Sequence, residues 1–152
     1  MTLRVLAPVA GKVLALKDVP DPVFSEAIVG PGIAVDPAGA EVSEVRAPVA
    51  GTIMKFHPHA FVLVADGGRG VLVHLGLDTV QLGGEGFTLH AQEKDKVEAG
   101  QLLVTWSPEQ VAAGGRSPVT PVIALEGTAE SLTQAVQPGD SVSAGDELFS
   151  WA

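Results

Sequence analysis

The chain has no cysteine among its 152 residues, which excludes a disulfide framework, a thiolate metal site and a nucleophilic thiol. It also lacks an uninterrupted apolar run of the roughly 18 residues that a membrane-spanning helix needs. Its first residues, Met1 to Gly11, lack the apolar core of a signal peptide, so a cytoplasmic protein is expected. Positive charge is scarce: 9 Lys and Arg stand against 18 Asp and Glu, a formal charge of -9. Nucleic-acid phosphates would repel such a surface, so no nucleic-acid partner is expected, whereas a basic protein partner suits it. No Ser/Gly linker or charge block divides the chain, and its length suffices to bury a core, so one domain over residues 1–152 is expected.

Helix signals are few, and what replaces them is turn chemistry. The 18 Gly and 11 Pro are spread along the sequence, as when many short strands are joined by turns. Two internal repeats give this pattern a period. Ala7 to Leu16 (APVAGKVLAL) returns forty positions later as Ala47 to Phe56 (APVAGTIMKF). Lys94 to Trp106 (KDKVEAGQLLVTW) returns 45 positions later as Gly139 to Trp151 (GDSVSAGDELFSW). Each unit reads as a turn feeding an apolar strand, because Pro fixes φ and Gly supplies the positive φ that a reversal needs. A repeat this long and present twice does not suit a solenoid. It predicts an all-β fold, a pseudo-symmetric β-sandwich or barrel built from two similar halves, with one or two short helical turns. Strands are predicted at Gly11–Leu16, Gly32–Asp36, Glu41–Arg46, Gly51–Phe56, Phe61–Ala65, Gly70–Gly76, Leu102–Trp106, Pro121–Leu125 and Glu147–Trp151. Helical turns are predicted at Ser107–Ala113, where Ser107 caps and Pro108 takes the first position, and at Ala129–Ala135.

Of four histidines, His57, His59 and His74 flank one predicted hairpin. A two-residue loop at Gly67-Gly68 places Asp66 opposite Arg69 and Phe61 opposite His74. Alternation then puts His59 on the face of His74, diagonally across the ladder at about 7–8 Å. A three- or five-residue loop would shift the pairing by one and send the two rings to opposite faces. Two converging imidazoles suit phosphoryl transfer: one nitrogen, titrating near neutrality, attacks, and the second ring donates to phosphate oxygens. An alternative uses His57-Pro58-His59 as an H-x-H pair, with His74 and Asp78 as H-x-x-x-D, to build a hydrolytic zinc site. A purely regulatory docking protein is a further alternative.

Four stretches carry a more specific signal: Asp18–Pro37 (DVPDPVFSEAIVGPGIAVDP), Ala47–Ile53 (APVAGTI), His59–Phe61 (HAF) and Val71–Phe87 (VLVHLGLDTVQLGGEGF). Together they resemble the glucose-type enzyme IIA family of the phosphoenolpyruvate-dependent sugar phosphotransferase system, over nearly the whole chain. The resemblance implies a β-sandwich-like barrel, a duplicated hybrid motif, and assigns roles. His74 matches the histidine that accepts phosphate from the phosphocarrier protein HPr on Nε2 and passes it to a cysteine of a IIB domain. His59 matches the second active-site histidine, needed for onward transfer. Gly76 matches the position whose backbone carbonyl orients the nucleophile through its other ring nitrogen. Asp21 and Asp78 match rim carboxylates that meet an arginine of HPr, and Val23, Phe24, Ile28, Val29 and Val80 match an apolar ring around the site. Regulatory target enzymes are possible further partners. No cofactor is expected to be required, and zinc at His59 and His74 would be adventitious. Two departures stand out. His57 occupies the place where several members carry a threonine that bonds within the site, so a hydrogen bond from His57 is one expectation there. Only six residues precede Ala7, so no direct membrane anchor is expected. His90 falls outside the family's active-site positions and reads as a surface or structural histidine.

Overall fold

The computed structural model describes residues 2–152. In chain order the first strands are β1 (Leu3–Leu6), β2 (Gly11–Ala15), β3 (Gly32–Asp36), β4 (Ser43–Arg46), β5 (Gly51–His57), β6 (Ala60–Val64) and β7 (Gly70–His74). There follow β8 (Thr88–Leu89), β9 (Lys96–Val97), β10 (Leu102–Trp106), β11 (Thr120–Ala124), β12 (Leu132–Gln134), β13 (Ser141–Val142) and β14 (Glu147–Trp151). The α-helices are single turns or little more: α1 (Pro22–Ser25) and α2 (Pro108–Ala113). No helix among the described residues is long and apolar enough to cross a membrane.

The strands form an eight-stranded sheet, β13-β2-β3-β11-β7-β6-β5-β9, and two three-stranded sheets, β1-β14-β12 and β4-β10-β8. This order is palindromic. A pseudo-twofold axis between β11 and β7 exchanges β2 with β5, β3 with β6, β13 with β9, and one small sheet with the other.

The sequence repeats are this axis written in residues. Val13 exchanges hydrogen bonds with Gly139 and Asp140, and Ile53, forty positions on, does so with Lys94 and Asp95. Ala7 bonds to Gly145 and Asp146, and Ala47 to Gly100 and Gln101. The two APVAG turns also cross-link, since Leu6 donates to the Pro48 carbonyl and Arg46 to that of Pro8. Each repeat needs its glycine for the same reason: a Cβ on Gly11 would lie 2.3 Å from the Asp36 carbonyl oxygen, and one on Gly51 would lie 2.3 Å from that of Val64. Between the layers lies a core containing Val13, Val35, Ile53, Phe61, Leu63, Val73, Leu103 and Phe149, all essentially inaccessible. Burial of one such side chain contributes about 1.5–3 kcal/mol.

The expected strands are present within a few residues at their ends, and Gly32–Asp36, Leu102–Trp106 and Glu147–Trp151 run as predicted. The helical turn predicted over Ala129–Ala135 is corrected. Helical geometry stops at Ser131, and Leu132–Gln134 instead pairs with Phe149–Trp151 as an edge strand. Tertiary pairing there outweighs local preference.

We predict that Gly51→Ala destabilises the protein by about 2–4 kcal/mol in urea melts, because the new methyl meets backbone that has no room to yield. A loss below about 0.5 kcal/mol would mean that the close strand approach is not required.

Candidate active site

The site is built where β6 and β7 emerge from the core. Ala60 pairs with His74, Phe61 with Val73 and Val64 with Gly70. The predicted pairing of Phe61 with His74 is therefore wrong by one residue. The cause is the loop, which is five residues long, Ala65 to Arg69, closed by the Ala65 N–H donating to the Arg69 carbonyl at 2.9 Å. Gly67 and Gly68, at φ of 93° and 88°, make its tip.

With an odd loop, strict alternation would send the His59 ring to the core face beside Phe61. The rings nevertheless meet, with His59 and His74 centroids 5.2 Å apart at an interplanar angle of 71°. The reason is that His59 is not a strand residue. His57 pairs with Ala60, which leaves Pro58 and His59 as a two-residue turn between β5 and β6. Alternation ends with the ladder, so the His59 side chain is free to swing onto His74. Its carbonyl accepts from the Leu75 N–H at 2.7 Å, tying the turn to the residue that follows His74.

His74, at the last position of β7, donates from Nδ1 to the Gly76 carbonyl oxygen at 2.5 Å. A carbonyl can accept only, so Nδ1 holds the proton and Nε2 keeps its lone pair. Gly76 is required twice over. Its φ is 77°, and a Cβ there would lie 2.7 Å from the Thr79 methyl and 2.8 Å from the Ser117 carbonyl oxygen. The loop is fixed from below by the Leu77 N–H donating to the Ser117 carbonyl (2.9 Å) and by the buried Thr79 hydroxyl donating to that of Leu75 (2.6 Å).

The far wall comes from α1. Asp21 caps it by accepting from the Val23 N–H at 3.0 Å, and Pro22 opens it. Phe24, buried on this turn, sets its ring 5.3 Å from that of His74. Burial holds the His74 imidazole below its ordinary value of 6.5, against the opposing pull of the Gly76 hydrogen bond and of Asp21 and Asp78. Burial also lowers His59, reinforced by His74 and then by His57. Both rings are thus neutral at neutral pH.

Of the predicted apolar ring, Val23, Ile28 and Val80 are exposed, at 43%, 67% and 60%. The other two lie deeper: Phe24 is a buried wall of the site, and the half-buried Val29 packs against the smaller core cluster around Phe24 and Leu77. His90 lies on the surface and shares a hydrogen bond with the Thr105 hydroxyl at 2.7 Å. His57 forms a ring stack with His59, not the hydrogen bond expected of it. Among the described residues no three His, Cys, Asp or Glu side chains gather to hold a metal, so the hydrolytic zinc reading gains no ligand set. Sequence reasoning missed Ser117 and Thr79. Thr79 carried no signal beyond its place after the His74 loop, and Ser117 carried none.

A half-buried imidazole with Nδ1 pinned to a carbonyl, on a pseudo-symmetric β-sandwich, is suited to carrying a group on its other nitrogen. The family described as phosphoenolpyruvate-dependent sugar phosphotransferase system, EIIA 1, matches residues 3–130. Among solved structures, the glucose permease IIA from Mycoplasma capricolum is 34% identical, with a TM-score of 0.86 over 99% of this chain and 96% of that one. The chain belongs to this EIIA family. It is a glucose-type IIA component, a phosphoryl carrier of a sugar phosphotransferase system, whose family works with HPr and a IIB domain.

Two predictions follow from the geometry. Gly76→Ala should be less stable, and its folded fraction should accept phosphate at least about tenfold more slowly, since it displaces the carbonyl that holds Nδ1; stopped-flow phosphorylation measures this, and an unchanged rate would refute the orienting role. The rate of phosphorylation should hold as pH falls to the ordinary imidazole value of 6.5 and decline only below it, because burial keeps Nε2 of His74 unprotonated past that value. The linked stability has the same sign: the unfolded chain takes up these protons first, so acidification through 6.5 weakens the fold.

Proposed function

We propose that His74 Nε2 is the atom that carries the phosphoryl group, received from phospho-HPr and passed to a cysteine of a IIB domain. The observation that carries this reading is the 2.5 Å hydrogen bond from Nδ1 to the Gly76 carbonyl, which leaves Nε2 as the unprotonated nitrogen. In the accepting step the Nε2 lone pair forms a bond to phosphorus as the donor's own bond to phosphorus breaks. Nδ1 keeps its proton, so the ring becomes an imidazolium bearing a phosphoryl group. Asp21, Asp78 and the Gly76 carbonyl all favour that positive ring. The same charge makes the imidazole a good leaving group, so the phosphate remains transferable.

His59 is the donor to the phosphate oxygens. It starts neutral, and the arriving negative charge draws a proton to it, which a neighbouring anion favours. Val23, Ile28 and Val80 form the apolar part of the docking face, and Asp21 and Asp78 the acidic part that meets a cation of HPr. Residues 1–152 act as one unit in the cytoplasm, with no cofactor required.

Incubation with phosphoenolpyruvate, enzyme I and HPr, followed by intact mass, should show one acid-labile phosphate on the wild type and none on His74→Gln. His59→Gln should still be labelled but discharge to a IIB domain at least about a hundredfold more slowly, within the range of a lost acid-base group. Absence of label on the wild type, or undiminished label on His74→Gln, would overturn the assignment.

A further inference from the structure

Resting on the phosphocarrier reading, we propose that His57 is a positioning residue for onward transfer: its imidazole stacks on His59 and holds that ring against His74. The His57 and His59 rings lie 5.8 Å apart with an interplanar angle of 26°, while His59 meets His74 edge-on at 5.2 Å. His59 is thereby held by two ring contacts, although it sits on a turn where no ladder constrains its side chain. Aromatic pairs at such separations favour their geometry by about 0.5–1.5 kcal/mol. The platform under the stack is stiff. His57 is the last residue of β5, paired with Ala60, and Pro58 fixes φ at the corner. The backbone at Gly84 packs on Pro58, since a Cβ there would lie 3.2 Å from the proline ring.

His57 also has an electrostatic consequence that a threonine could not have. The titratable groups facing His59 are His74 from β7 and His57 from β5, and both disfavour a proton on it. Asp21 and Asp78 act on His74. Glu85, beside Gly84, lines a separate cavity with Phe87 and Trp106. His57 therefore adds, after burial and His74, to what lowers the proton affinity of His59.

Two variants of the full chain separate ring contact from charge. His57→Ala removes both, and His57→Phe keeps an aromatic ring but no proton. Three readouts are needed: labelling by HPr, discharge onto a purified glucose-type IIB domain that the wild-type phosphoprotein serves, and the titration of His59 in the unphosphorylated protein by NMR. Both variants should be labelled at the wild-type rate. His57→Ala should discharge about threefold to tenfold more slowly, the loss of one ring contact, whereas His57→Phe should stay within about twofold of wild type. In His57→Phe the His59 midpoint should move up, which a merely structural role would not produce. Wild-type discharge in His57→Ala, an unmoved His59 midpoint in His57→Phe, or slowed labelling in either variant would overturn the proposal. If the wild type itself takes no label, the phosphocarrier reading fails, and the His59 midpoint still tests the coupling between the two rings.

Discussion

The site depends on one hydrogen bond, from His74 Nδ1 to the carbonyl of Gly76. It selects the tautomer, leaves Nε2 unprotonated and gives the ring a partner for the positive charge that bonding at Nε2 would create. A histidine without such a bond would exchange tautomers and present a protonated nitrogen much of the time. The bond exists because the chain turns through a left-handed residue two positions after the end of β7, and that turn exists because nothing but glycine fits between Thr79 and Ser117. The carbonyl that orients the His74 ring is therefore held by the packing of a loop from the other half of the molecule.

Pseudo-symmetry explains why the loop lies there. β7 and β11 adjoin each other across the pseudo-axis, so the ends of these strands bring residues 76–79 against residues 117–118. The scaffold is two-fold, but the chemistry is not. The end of β5 and the two-residue turn after it hold three of the site's features in three residues: His57, Pro58 and His59. The corresponding connection from β2 to β3 is long, and it contributes α1, with Asp21 and Phe24, to the same site. One half supplies the imidazoles, and the other supplies an acidic cap and an aromatic wall.

The architecture was legible because its symmetry is enforced by residues with few substitutes. Gly11 and Gly51 must be glycine against a facing carbonyl, so the APVAG repeat survives in both halves. The register of β6 on β7 was not legible, since Asp66-Gly67-Gly68-Arg69-Gly70 accommodates even and odd loops alike and a one-residue difference leaves no mark in composition. The error did not separate the histidines, because Pro58 takes His59 out of the ladder and with it out of alternation. The α1 turn was written as Asp21-Pro22, a cap followed by the residue favoured at the first helical position, and went unread. β13 and β9, two residues each, carry no local signal, and they exist through their pairing to β2 and β5.

The central claim is that Nε2 of His74 is the free nitrogen and the carrier. Long-range proton–nitrogen NMR on nitrogen-15-labelled protein, before and after phosphorylation by HPr, tests it directly. The account predicts a protonated Nδ1 and an unprotonated Nε2 in the resting protein at a pH of about 8, and nitrogen–phosphorus coupling at Nε2 after transfer. A resting ring protonated at Nε2, or phosphorus attached at Nδ1, would contradict it.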